Sequence, residues 1–293
     1  MPAGVPGPSA GPRAAFSGEP GAFAEDALLA ALESPQSLPV AGFREVFEAV
    51  RDGLADVGVV PIENVVNGTV RESYDLLLEH DLLIRGEVVV PVRLCLAALP
   101  GTRLEEIERV YSHIQALGQA DEFLRRRPWA LLTTYNTAGA GRLIRERAEA
   151  GSAAVLSPRA AAFFELAILA DGIENDPANR TRFLLVGRPD APFPAAWRRP
   201  LEGPAAPRTT LAFAVRNEPG TLLAVLRVLA DHRLNLSTLE SRPSRRVAWE
   251  YVFWADVDAD LLSEGAAAAA LDEIRPLTTM VRVLGAYERA ATA

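Results

Sequence analysis

The stretch Asn175–Gly187, NDPANRTRFLLVG, closes the first part of the chain and decides how that part folds. Its second half, Phe183 to Val186, is an unbroken apolar run of strand length, the pattern of a strand buried on both faces. The run is entered through Asn179, Arg180, Thr181 and Arg182. An amide, a hydroxyl and two guanidiniums therefore stand where the strand begins to bury itself. If the backbone is already extended there, Thr181 and Phe183 share one side and Arg182 faces the other.

Working outward from this strand, Ala14 to Gly187 alternates strand and helix. EDALLAALE is helical and stopped by Pro35. Phe43, Val46, Phe47, Val50 and Leu54 follow the i, i+3, i+4, i+7, i+11 stripe of an amphipathic helix. VGVVPI (57–62) is a short apolar strand, and after the Asn67-Gly68 turn Val70, Tyr74, Leu77 and Leu78 mark a further helix. Residues 82–99 are extended, with Pro91 suggesting a bend or an edge. RVYS, WALLTTY and SAAVLSP are strands, each followed by a helical segment. Such alternation predicts parallel α/β sheets with right-handed crossovers.

Residues 189–207, dense in Pro and Ala, predict a semi-rigid linker and the main domain boundary. Beyond it the order becomes strand, helix, strand, strand, helix, strand in about 80 residues, the ferredoxin-like βαββαβ pattern. Residues 1–13 read as a frayed tail without the basic and apolar regions of a signal peptide.

Composition excludes several classes of function. The 293 residues are 49% hydrophobic, enough for two or three cores, and no apolar run reaches the length of a membrane span. A net charge of −8 argues against nucleic acid as a partner. All 30 cationic side chains are Arg, so Schiff-base and P-loop chemistry, which need Lys, are out. His80, His113 and His232 lack metal-ligand spacing, which argues against a zinc site. Neither GEPGAF nor TAGAGR completes a dinucleotide fingerprint, so no cofactor is expected. The single cysteine, Cys95, fits a reducing cytoplasm and reads as a buried small hydrophobe.

In an open α/β sheet ligands bind beyond the carboxyl ends of the strands. The polar residues at those ends are Glu63, Asn64, Asn67, Gly68 and Thr69; Ser112, His113 and Gln115; Thr133, Thr134, Asn136 and Thr137; and Ser157. Helix N-termini at such a rim favour an anion. Taken singly, each Ser, Thr or Asn is an ordinary helix cap worth roughly 1 kcal/mol, and His113 reads as capping or packing. The carboxylate and amide of PIEN, directly after an apolar strand, exceed what capping needs.

GVVPIENVVNGTV, VYSHIQALGQADEFL and NDPANRTRFLLVG together resemble the prephenate dehydratase family, and LESRP resembles the signature of its regulatory ACT domain. AFSGEPGAFAEDA and YDLLLEHDLLIRGEV are similar to the dehydratases that plants use on arogenate. The resemblance runs from Ala14 onward in the family's order. It implies decarboxylating dehydration of prephenate to phenylpyruvate on the way to phenylalanine, without cofactor or metal. It also implies a two-lobed catalytic domain like periplasmic binding proteins (residues 14–188; one lobe 14–95 and 171–188, the other 96–170). A ferredoxin-like ACT domain at 208–290 would follow.

Carried over residue by residue, the resemblance makes Thr181 the essential threonine of the Thr-Arg-Phe motif, completed by Arg182 and Phe183. It makes Asn64 the asparagine of Pro-Ile-Glu-Asn, beside Glu63. Ser112 is the serine of Ser-His, and Gln119 the glutamine seven residues later. Val65 departs from the family, which usually has Ser there. Thr181 is expected to hydrogen-bond the departing oxygen; Glu63, if desolvated and protonated, is the rival acid. Arg180 or Arg182 would meet the substrate dianion, and Thr137 is a further candidate for substrate binding. Gly220, Thr221, Leu222 and Leu223 together with Glu240, Ser241, Arg242 and Pro243 match the ACT positions that bind phenylalanine as a feedback effector. The family often has Ala where Thr221 stands. Its members are dimers or tetramers through the ACT domain, so a homodimer or homotetramer is expected. Arogenate as substrate, and a sensor that binds amino acids without chemistry, are the competing readings.

Overall fold

The computed structural model describes residues 11–192, 206–244 and 250–290. The chain first lays down β1 (Arg13–Ser17), β2 (Gln36–Val40), β3 (Val57–Asn64), the two-residue β4 (Gly68–Thr69) and β5 (Leu83–Pro91). It crosses over to build β6 (Cys95–Ala98), β7 (Arg109–Ser112), β8 (Ala130–Thr133), β9 (Ser152–Leu156) and β10 (Ala167–Asp171). It then returns as β11 (Arg180–Gly187), which inserts between β3 and β5. The sheet orders are β2-β1-β3-β11-β5, with β4 on β3, and β10-β6-β9-β7-β8. Two lobes joined by two crossings result, the arrangement of periplasmic binding proteins.

The apolar run of β11 is buried on both faces, as its composition requires. Leu184 and Val186 pack with Val60, Ile62 and the helices Phe43–Arg51 and Arg71–Glu79. Phe183 and Leu185 pack with Val57, Val59 and the helix Phe23–Ala31 on the other side. Leu54 leaves the expected stripe and is exposed, because Gly53, at φ 74°, turns the backbone out of the helix. Cys95 is fully buried, and burial pushes its thiol up to about 12.

The sheets are mixed, not parallel throughout. β1–β2, β1–β3, β7–β8 and β7–β9 are parallel, whereas β11 runs against both β3 and β5, and β6 against both β9 and β10. A helical crossover is what makes neighbouring strands parallel, and no helix separates β10 from β11. Cys95 and Asp171 pair with each other in the second sheet, so the crossings lie at 92–94 and 172–179 and not at the expected bounds. Arg13, expected in the tail, opens β1 and pairs with Asp56 at 2.8 Å. Residues 1–10 of that tail and 193–205 of the expected linker lie outside the described residues.

The third sheet has the order β13-β14-β12-β15, built from β12 (Pro207–Ala214), β13 (Leu236–Pro243), β14 (Tyr251–Val257) and β15 (Met280–Glu288), all antiparallel. Val225, Leu229, Leu271 and Ile274, on the helices Thr221–Asp231 and Ala266–Ile274, cover one face. The other face packs on the first lobe: Ala212, Val252, Trp254, Leu284 and Tyr287 share a core with Tyr74, Leu77 and Ile84. Trp254 meets Tyr74 edge-on at 4.8 Å. At Gly285 a Cβ would sit 2.1 Å from the Ile84 carbonyl oxygen, so the two sheets approach as only glycine permits.

Candidate active site

The carboxyl ends of the strands in both lobes open onto one cleft. One compartment of 540 Å³ and another of 450 Å³ share the walls Phe23, Phe43, Pro61, Glu72, His113, Thr137 and Thr181. Helices begin at this cleft from both sides, and their N-terminal N–H groups face it. On the second lobe those groups are capped by side chains. His113 accepts from Gln115 N, Asn136 from Gly139 N and Ser157 from Ala160 N. Capping is therefore the right reading of those residues. On the first lobe the helices starting after Ala22, Gly42 and Val70 have no side-chain cap. Their N-terminal N–H groups and positive dipole ends favour an anion, offset in part by the first-turn carboxylates Glu25, Asp26, Glu45 and Glu72.

Asn64 organises the rim. Its Oδ1 accepts from the backbone N–H of Val66 and Asn67 at 3.1 and 2.8 Å, which identifies that end of the amide as the oxygen. Its Nδ2 then donates toward Asn179 Oδ1 at 2.8 Å, the Arg180 carbonyl at 3.0 Å and Thr181 Oγ1 at 2.9 Å. Since Thr181 Oγ1 accepts from Asn64, its own hydrogen is left to donate elsewhere, and Thr181 lines both compartments of the cleft. Phe183, two residues on, lines the smaller one. Gln119 and Thr137 line the larger from the second lobe.

Four expected site residues lie elsewhere. Arg182 faces away from Thr181, as strand alternation requires. Its guanidinium is held by Glu87 at 2.6 Å and Asp256 at 2.7 Å, and it donates to the Tyr287 hydroxyl at 3.1 Å. Glu63 pairs across the sheet from Arg182, is exposed and lines neither compartment. Ser112 is fully buried and donates to the Val155 carbonyl at 2.6 Å, tying β7 to β9. Its side chain faces the sheet and not the cleft, although His113 and Gln119 of the same motif line the cleft. Arg180, one residue before Thr181, is half-buried on the Arg182 side and lines neither compartment.

Arg71, not singled out in the sequence, and His113, read there as capping or packing, line the cleft instead. Arg71, at the start of an uncapped helix, is the one arginine among the described residues lining either compartment. A run of helix-start residues gives no sign of which side chain turns into a cleft, so its role was hidden. His113 both caps its helix and lines the cleft. Burial lowers its pKa, and with Nδ1 accepting from Gln115 at 3.3 Å the neutral ring carries its hydrogen on Nε2.

The lobes are latched at the rim of the cleft. Ser157 Oγ donates to the Gly21 carbonyl at 2.8 Å, Arg142 pairs with Glu19 at 3.1 Å, and Arg159 lies 3.4 Å from Asp26. Burial raises the Asp26 carboxyl to about 6, against the opposing charge of Arg159. Gly21, with φ 85°, sits where a Cβ would be 2.5 Å from Ala160 Cα. GEPGAF is thus a close approach between lobes, not a nucleotide loop.

In the third sheet, Gly220 starts the helix with φ 86°, and Thr221 Oγ1 donates to the Arg216 and Glu218 carbonyls at 2.7 and 2.9 Å. Leu222 is half-buried and Leu223 exposed. Glu240, Ser241, Arg242 and Pro243 lie on the edge strand β13. Arg242 turns to the first lobe: it donates to the Arg71 carbonyl and pairs with Asp75 at 3.2 Å.

Comparison with known proteins adds the lineage. Residues 14–191 match the family model of prephenate dehydratase and residues 209–273 that of the ACT domain. Arogenate dehydratase 5 of Arabidopsis thaliana, a chloroplastic protein, is 39% identical over 96% of this chain and 69% of its own length. The chain spans about two thirds of the length of the plant relatives it matches. Prephenate dehydratase from Arthrobacter aurescens, solved with L-Phe, is 31% identical with a TM-score of 0.82, covering 95% of this chain and 90% of that one. GqqA, described as a novel type of quorum quenching acylase, is 32% identical with a TM-score of 0.83, covering 94% and 98%. The matched segments span both lobes of the cleft and the sheet behind them, and the chain belongs to the prephenate dehydratase family, with an ACT domain following its dehydratase part.

Proposed function

We propose that the chain converts prephenate to phenylpyruvate, releasing carbon dioxide and water, as a cofactor-free lyase of phenylalanine biosynthesis. The observation that carries this reading is the Thr181 hydroxyl, held by Asn64 as acceptor and so left to donate, in a cleft walled by both lobes. Prephenate is a dianion. The uncapped helix starts of the first lobe and Arg71 offer it positive potential without lysine. Aromatisation of the ring supplies the driving force. The hydroxyl that leaves develops negative charge, and Thr181 donates to that oxygen. A threonine is too weak an acid to be the general acid at neutral pH, so its contribution is electrostatic stabilisation of the departing hydroxide, which becomes water by taking a proton from solvent. Closing the lobes removes water and strengthens the interaction.

The ACT domain is read as a phenylalanine sensor that inhibits the reaction, with Gly220–Leu223 and Glu240–Pro243 at its effector site. The Arthrobacter aurescens neighbour, titled as a complex with L-Phe, supports this. The exposed Leu223 and Leu239 on the helix start and edge strand fit assembly into a dimer or tetramer through this domain. A single buried cysteine fits a reducing compartment such as the cytoplasm.

The test incubates the purified chain separately with prephenate and with arogenate, following phenylpyruvate and phenylalanine. Phenylpyruvate formed faster from prephenate than phenylalanine from arogenate is the expected result. Product from neither substrate would leave a binding protein without chemistry. Calorimetry with L-Phe on the intact chain checks the effector reading, and absence of binding heat would refute it.

A further inference from the structure

Thr181 is oriented by Asn64, and Asn64 is in turn held from behind by a residue that no motif role covers. Asn179 is only 1% exposed. Its backbone N–H donates to the Asp176 carbonyl at 3.1 Å, and its carbonyl accepts from Val92 N at 2.9 Å. Val92 lies on the first crossing between the lobes and Asn179 on the second, so this bond ties the two crossings together. The Asn179 side chain reaches forward from there: its Oδ1 accepts from Asn64 Nδ2 at 2.8 Å. Its own Nδ2 is buried and meets no hydrogen-bond partner among the described residues.

A buried amide with one end unpaired is a poor choice for stability alone, because an apolar side chain of that size would avoid the desolvation penalty. The paired end has a specific consequence. Asn64 Nδ2 has two hydrogens and three acceptors: Asn179 Oδ1, the Arg180 carbonyl and Thr181 Oγ1. With Oδ1 taking the hydrogen that points back to the crossing, the amide plane is fixed and the other hydrogen is aimed at β11. Asn179 also lines a 310 Å³ cavity whose walls Asn67, Gln115 and Gln119 continue into the larger compartment of the cleft.

We propose that Asn179 is a positioning residue for Thr181, acting through Asn64 and touching no substrate. Together with the Val66 and Asn67 N–H groups on Oδ1, it holds the plane of the Asn64 amide, keeps Thr181 Oγ1 an acceptor from Asn64, and so leaves the Thr181 hydrogen for the cleft. Because its backbone joins the two crossings, the alignment of that hydroxyl depends on the relative placement of the lobes. The proposal rests on the dehydratase reading only for its kinetic arm.

The experiment compares native protein, Asn179→Ala and Asn179→Asp by Michaelis kinetics with prephenate, thermal unfolding and crystal structures. Loss of alignment in Asn179→Ala should lower kcat roughly ten-fold or more with KM within about two-fold, on the scale of a displaced catalytic group. Asn179→Asp, which keeps the acceptor oxygen, should stay within about three-fold of native kcat. In the Asn179→Ala structure the Asn64 amide should rotate and the 2.9 Å bond to Thr181 be lost. If Asn179→Ala does not fold, Asn179→Ser, too short to reach Asn64, replaces it with the same expectations. Native kcat in Asn179→Ala, or an Asn64–Thr181 bond unchanged in its structure, would overturn the proposal. An inactive native protein overturns the dehydratase reading instead, and the structural arm still decides this one.

Discussion

Thr181 Oγ1 accepts one hydrogen bond and has one to give, and Asn64 determines which is which. That division can be reversed without changing volume. Asn64→Asp would present a carboxylate oxygen to Thr181, so the hydroxyl would donate backwards and leave the cleft without its hydrogen. A kcat fall of roughly ten-fold or more, with substrate binding little changed, is expected, since a positioned donor is lost. Steady-state kinetics on prephenate checks it; native kcat would mean that Thr181 does not act as a donor. At this scale the sequence was half legible. Thr181, Asn64, Phe183, Gln119 and Thr137 all line the cleft. Arg182 and Glu63 do not, because a motif names neighbours along the chain while a strand sends them to opposite faces. Ser112 is lost to a backbone carbonyl of the next strand, a partner that sequence spacing cannot reveal.

At the scale of elements, the cleft depends on how closely the helix Phe23–Ala31 and its preceding loop approach the second lobe. Gly21→Ala would combine a left-handed backbone with a 2.5 Å clash against Ala160. The lobes should be forced apart, raising KM for prephenate and lowering the melting temperature; unchanged values for both would contradict the latch. Asp26 on the same helix gives a pH signature. Its folded pKa, about 6, lies above the ordinary 3.8, so the folded state disfavours the ionised form. The group therefore lowers stability at neutral pH, and that penalty disappears as pH falls through 6 toward 3.8. Asp26→Asn should raise the melting temperature near neutral pH, with the gain vanishing in acid; melts across that range check the sign. The alternation of helices and strands was legible from periodicity alone. The antiparallel placement of β11 was not, because it follows from a return between lobes that contains no helix.

At the scale of the whole molecule, one buried network joins the dehydratase part to the ACT sheet. Glu87, 1% exposed, binds both Arg182 and Arg208, and Arg182 also binds Asp256 of β14. The ferredoxin-like order was legible from its strand and helix spacing. Its packing on the first lobe was not, because Ala212, Trp254 and Leu284 read equally well as that domain's own core. Arg182→Met leaves Glu87 and Asp256 short of a buried partner. It should cost about 3–5 kcal/mol in denaturant unfolding while KM for prephenate stays within about two-fold. A large rise in KM with stability intact would return Arg182 to the cleft. The most direct test of the whole account is the single-turnover rate of phenylpyruvate formation from prephenate by native protein and Thr181→Ala, measured side by side. The account predicts a native enzyme that turns over and a variant slower by roughly 10²-fold or more. Equal rates in the two proteins would contradict it.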